Sequence, residues 1–156
     1  IKPDLICLGK GISSSLPMAA LLGTADIIDV DLGANLSGTH AGNALGSAAC
    51  LANLEVLTDK QFQKDLKKRS KVFEERSNNL LKYDCVTNVN ARGMVVGIVF
   101  DTTERTNKIV FDCIESGVLP VCTFRESIKL GPPLTIPVSA INEAFDVLEE
   151  CIQRRS

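Results

Sequence analysis

The sequence predicts an α/β protein in two parts. Short apolar strands and a small-residue helix come first, then an α+β unit of helices on a small sheet. Three observations carry this expectation. An unbroken apolar run, Leu5-Ile6-Cys7-Leu8, opens the chain, a long amphipathic stretch covers Lys60 to Leu81, and short apolar runs then alternate with helical periodicity. The boundary falls at the end of an Ala-rich helix near Leu57, which divides the chain into 1–57 and 58–156.

The first run is too short for a helix and too continuous for a half-exposed strand. It reads as a strand buried on both faces, of the parallel-sheet kind. Gly9-Lys10-Gly11 follows, and glycine on either side of Lys10 lets the backbone turn sharply and leaves room for a bulky group. Ligands of open parallel sheets collect beyond the carboxyl ends of the strands, the position expected for Lys10. There Lys10 is either a solvated surface charge or, in a partly dry crevice, an amine nucleophile of lowered pKa able to form a Schiff base. A phosphate loop is excluded, because its spacing puts a glycine where Asp4 stands and a hydroxyl residue where Gly11 stands.

Pro17 closes a small-residue loop, and Met18 to Leu22 reads as a second strand ended by Gly23. Thr24 is placed to cap a short helix running through Ala25 to Val30, and an irregular loop is expected over Asp31 to Thr39. The helix expected from Asn43 to Leu57 carries Ala and Gly on every side, which implies close packing against other elements or another subunit. Thr39 either caps the turn ahead of that helix or helps to hold an anion at its N-terminus.

Lys60 to Leu81 presents Phe62, Leu66, Phe73 and Leu80 as an apolar stripe, with a solvated basic and acidic face opposite. Arg92-Gly93 reads as a turn, Met94 to Phe100 as a strand, and Thr103 to Ser116 as a helix stopped by Gly117. Val118 to Cys122 and Ser127 to Leu130 read as short strands. Pro132-Pro133 breaks the chain before a last helix, Val138 to Arg154, that buries Ile141, Phe145, Leu148 and Ile152.

Composition narrows the function. With 156 residues a core can be buried without staples, and 45% hydrophobic with 23% charged residues is ordinary for a globular chain. A net charge of −2 and 4% aromatic residues give nucleic acid neither charge nor stacking to bind. No apolar stretch is long enough to span a bilayer. Six scattered cysteines without a C-x-x-C pair fit reduced, buried thiols of an intracellular, cytoplasmic protein. His40 is the sole histidine, so a histidine-rich metal site is excluded and no metal is expected.

Four stretches taken together, Asp4 to Gly11, Leu16 to Ala20, Thr39 to Asn43 and Lys129 to Leu134, resemble the class III aminotransferases, pyridoxal-phosphate enzymes of fold type I. Arg92-Gly93 with Met94 to Gly97 resembles the Gly-x-x-x-Gly strand that opens the family's C-terminal domain. The resemblance implies the end of a fold-type-I cofactor-binding domain followed by a small α+β C-terminal domain. It implies that Lys10 is the lysine that binds the cofactor aldehyde as a Schiff base and later moves a proton at the substrate α-carbon. It implies that Thr39 reaches the phosphate of the partner subunit's cofactor in a homodimer, and that Gly42 and Asn43 shape the loop and start the helix. The activity implied is transfer of an amino group from an amine or amino acid to a 2-oxo acid. An aminomutase or amino-acid racemase of the same family, or a non-catalytic truncated remnant, is the alternative.

The chain departs from the family pattern at two positions. His40 stands where the family often has an aromatic residue. Lys129 stands where many members carry an arginine that grips a substrate carboxylate as a fork; a lysine there is similar to the diaminobutyrate aminotransferases and binds as a point charge, or is simply solvated. In the family, the acid facing the pyridine nitrogen, the phosphate loop and the ring stacked on the cofactor precede the lysine. The sequence therefore reads as the back part of something longer, and these residues alone are expected not to catalyse transamination.

Overall fold

The computed structural model describes residues 2–29 and 38–156, which divide into two compact units, Ile1–Gln63 and Lys64–Ser156. In the first, β1 (Leu5–Leu8) leads through a 3-10 turn (Lys10–Ser13) to β2 (Ala20–Gly23), then α1 (Ala25–Ile28) and α2 (Ala44–Thr58). β1 and β2 are antiparallel, with Cys7 opposite Leu21. This corrects the expectation of a doubly buried parallel strand: Leu5 is 46% exposed and Ile6 43%. A parallel pairing needs a crossover of about a dozen residues or more, normally a helix. The connection 9–19 instead forms a 3-10 turn and an irregular stretch, so the chain reverses and β2 returns alongside β1.

Thr24 stands at the N-cap of α1 in extended backbone without a side-chain cap bond. Val30 and residues 31–37 of the expected loop lie outside the described residues. α2 is capped by Asn43, whose side-chain oxygen accepts from Gly46 N–H at 3.1 Å, as capping amides do.

The second unit is the α+β unit that the sequence predicts. Its sheet runs in the order β3 (Val86–Arg92), β4 (Val95–Phe100), β6 (Ser127–Leu130), β5 (Val121–Cys122), antiparallel throughout. α3 (Lys60–Asn78), which begins in the first unit, and α4 (Thr103–Glu115) and α5 (Val138–Gln153) supply the helices. Val96, Ile98 and Phe100 alternate inward along β4, and Ile128 lies opposite Ile98. Phe73, Leu80, Ile109, Phe145 and Leu148 close the core from the helices. Gly93 takes φ +61° in the two-residue link from β3 to β4, the left-handed geometry that favours glycine first in such a hairpin.

Two strands differ from expectation. β3 is absent from the sequence reading because a bulge between Val86 and Asn88 breaks its period-two alternation. The strand expected over Val118 to Cys122 shrinks to Val121–Cys122, since Pro120 has no N–H to give a ladder. All six cysteines are free, and Cys50, Cys85, Cys113 and Cys151 are buried; Cys7, on β1, is exposed, contrary to expectation.

A polar network ties α3 to α5. Arg76 donates to Glu149 at 3.1 Å and to Asp146 at 2.6 Å, while Lys82 and the Tyr83 hydroxyl also donate to Glu149. Burial pushes the Glu149 carboxyl up. The Lys82 and Tyr83 hydrogen bonds, with the charges of Lys82 and Arg76, outweigh it and hold the group below its ordinary value. A carboxylate with a lowered native pKa stabilises the fold above its unfolded value, near about 4.3, and that contribution is lost as pH falls through the native value. Glu149→Gln is therefore expected to cost about 1–3 kcal/mol at neutral pH. In urea unfolding, the gap from wild type should close below about pH 4.

Candidate functional site

In the first unit, Lys10 stands one residue beyond β1, after Gly9, and has φ +51°. The flanking glycines were expected to absorb the turn, but the left-handed residue is the lysine itself, and Gly9 is extended. A non-glycine residue in this region persists only where its surroundings hold it, and such residues cluster at functional sites. Around Gly9 and Gly11 the space is open: a Cβ on either would meet nothing within 4 Å. Lys10 is exposed rather than partly dry.

Several bonds fix the turn. Ile12 N–H donates to Gly9 O at 3.2 Å, Ser14 N–H to Gly11 O at 3.1 Å, and the buried Ser13 hydroxyl to Leu16 O. Asn53, on α2, donates to Gly11 O and Ile12 O. The sequence reading passed over Asn53. Its signal was there: it lies three residues after Cys50 and seven after Gly46, the buried positions of α2, so it falls on their helical face.

Lys10 lines an open cleft of about 530 Å³, together with Pro17, Met18, Ala19 and the segment His40 to Asn43 with Gly46. Two features of the sequence reading thus meet at one cleft: the lysine after β1 and the N-terminus of α2. Gly42 takes φ +69°, which a side chain would strain, and delivers Asn43 to its cap. First-turn N–H groups of a helix have no acceptor inside it, so this end of α2 favours an anion. No carboxylate is among the described residues lining the cleft, whose basic side chains are those of Lys10 and His40. Thr39 lies exposed in the turn where Ala41 N–H donates to Gly38 O at 2.9 Å; the helix cap is Asn43, not Thr39.

Lys129 is in the second unit, exposed on β6 between Gly97 of β4 and Val121 of β5. It borders a cavity of about 270 Å³ whose other described lining residues are apolar or glycine, Phe73, Leu119, Pro132 and Phe145 among them. An ammonium beside an apolar pocket suits a carboxylate on an apolar stem.

Comparison with known proteins gives one family. The model for class-III aminotransferases matches residues 1–152. The chain is 25% identical over 155 residues to an acetylornithine aminotransferase of Clostridium acetobutylicum, covering 98% of this chain and 40% of that one. It is 28% identical over 161 residues to a leucine/methionine racemase of Thermococcus litoralis, covering 97% and 36%. Among solved structures, an ornithine aminotransferase of Plasmodium yoelii superposes with a TM-score of 0.87 at 27% identity, covering all of this chain and 42% of its own. The chain thus spans about 40% of the length of the relatives it matches. Among the described residues, no helix is long and apolar enough to cross a membrane.

Proposed function

This chain belongs to the class-III aminotransferase family, and we propose that it carries the cofactor lysine and the C-terminal domain of a pyridoxal-phosphate enzyme that moves an amino group from an amine or amino acid to a 2-oxo acid. The observation that supports this best is the placement of Lys10: left-handed, just after β1, lining a cleft with no carboxylate among its described residues, beside the N-terminus of α2. The residues present fit two ends of the cofactor. An aldehyde needs a primary amine, which Lys10 offers, and a phosphate needs donors free of nearby negative charge, which the start of α2, beside Thr39, offers to the cofactor of the partner subunit. The acid that faces the pyridine nitrogen is not among the described residues of the cleft.

When bound, the cofactor supplies an electron-withdrawing ring that stabilises negative charge at the substrate α-carbon. The chain's own groups do the rest. Lys10 Nζ would hold the aldehyde end of the group, and as a free amine it would take the proton from the substrate α-carbon and hold it. Thr39 adds a hydroxyl toward the phosphate held by the partner subunit of a homodimer. Lys129 holds a substrate carboxylate as a point charge. On this reading residues 1–57 complete the cofactor domain and 58–156 form the C-terminal domain.

The racemase relative favours a second reading, because proton movement at the α-carbon by Lys10 serves racemisation equally. An assay separates them. The intact protein carrying this chain is given L-ornithine, N-acetyl-L-ornithine or L-leucine, with and without 2-oxoglutarate. Glutamate formed only with the 2-oxo acid is the expected result. D-amino acid formed without it selects racemisation, and neither product would overturn the enzyme reading in favour of a non-catalytic remnant.

A further inference from the structure

We propose that Asn53 is a positioning residue for Lys10, its side-chain amide reaching from α2 to hold the left-handed turn that presents the amine to the cleft. This rests on the reading of Lys10 as the cofactor lysine. Asn53 Nδ2 donates to Gly11 O at 2.9 Å and to Ile12 O at 3.0 Å, the carbonyls of the two residues that follow Lys10. Two carbonyl acceptors admit only the NH2 end of the amide, so its orientation is determined by its partners.

The turn needs such a clamp. Lys10 at φ +51° and Ser14 at φ +65° are both left-handed without being glycine, so the segment between them is under backbone strain that outside contacts must offset. Bonds within the turn, Ile12 N–H to Gly9 O and Ser14 N–H to Gly11 O, tighten it but do not anchor it. Asn53 supplies an anchor forty-two residues away in sequence, on a helix whose first turn also lines the cleft. Gly46, which lines the cleft, and Asn53 lie on one face of α2. The helix that walls the cleft therefore also sets the lysine against it. Asparagine is a poor helix former, so its presence inside a helix of small and apolar residues costs something that these bonds offset.

The test uses Asn53→Ala, Asn53→Asp and Asn53→Gln in the intact protein. One readout is the rate at which pyridoxal phosphate and borohydride label Lys10; the other is hydrogen exchange of the Ser14 amide, which rests on Gly11 O. Losing two bonds to backbone carbonyls should slow labelling about tenfold in the Ala variant and raise Ser14 exchange by a similar factor, with α2 unchanged. The Asp variant, whose oxygens would face carbonyl oxygens, should be slowed at least as much. The Gln variant, which keeps the donors, should recover most of the rate. Wild-type labelling and Ser14 exchange in the Ala variant would overturn the proposal. So would a loss that Gln does not recover, with exchange raised evenly across the unit, since that is a general structural role. If wild-type Lys10 is not labelled above the surface lysines, the cofactor reading falls instead, and Ser14 exchange alone decides whether Asn53 holds the turn.

Discussion

Lys10→Ala in the intact protein is expected to lower amino transfer by at least roughly 10²–10⁴-fold, the contribution of a positioned proton-transfer group alone, with the loss of its bond to the aldehyde in addition. Lys10→Arg is the sharper variant. It keeps a positive charge in the cleft but has no amine that can be deprotonated, so activity should fall as far as in the alanine variant. If the lysine served only to attract anionic substrates, arginine would restore most of the activity and alanine would raise KM with little change in kcat. Both variants keep the turn's backbone bonds and the Asn53 contacts, which involve main-chain atoms of residues 9 to 14 and not the lysine side chain. A normal unfolding transition in both variants should accompany the loss.

The second large effect is on stability. Phe145→Ala is expected to cost about 3–5 kcal/mol, read as a lower urea midpoint for the second unit. Phe145 is 1% exposed. Its ring meets Phe73 edge-on, centroids 5.3 Å apart at 72°, and the Arg76 guanidinium lies 5.7 Å from its centroid. Truncation removes the aromatic pair and the cation contact together and leaves a void that the β4 and β6 core side chains cannot fill without moving the sheet. Phe73 and Phe145 also border the cavity beside Lys129, so the void would open into it. A loss below about 1 kcal/mol would contradict the placement of Phe145 as a core residue.

Much of the second unit was legible in the sequence because local signals and packing agree there. Ile141, Phe145, Leu148 and Ile152 recur at helical spacing and are all buried on α5. Gly117, at φ +88°, ends α4 where the sequence places the stop. β3 was illegible because its bulge shifts the inward residues out of alternation, and β5 was overestimated because Pro120 reads as apolar while breaking the ladder. In the first unit the apolar run 5–8 was read correctly as a strand, but its pairing partner depends on how the connection 9–19 folds, which the composition of the strand does not specify. At the candidate cleft, the turn at Lys10 was legible from its flanking glycines, whereas Asn43, expected as the first residue of the helix, proves to be its cap. The left-handed φ of Lys10 and the Asn53 clamp were not legible, because both arise from a contact between segments about forty residues apart.

Reductive labelling shows whether Lys10 is the residue that takes the cofactor aldehyde. The intact protein is mixed with pyridoxal phosphate, reduced with borohydride and mapped by peptide mass, with Lys10→Ala as control. Pyridoxyl label is expected on Lys10 at substoichiometric cofactor, with no concentrated label anywhere in the control. Label distributed evenly over Lys64, Lys67, Lys68, Lys71 and the other exposed lysines, with no excess at Lys10, would contradict that role for Lys10.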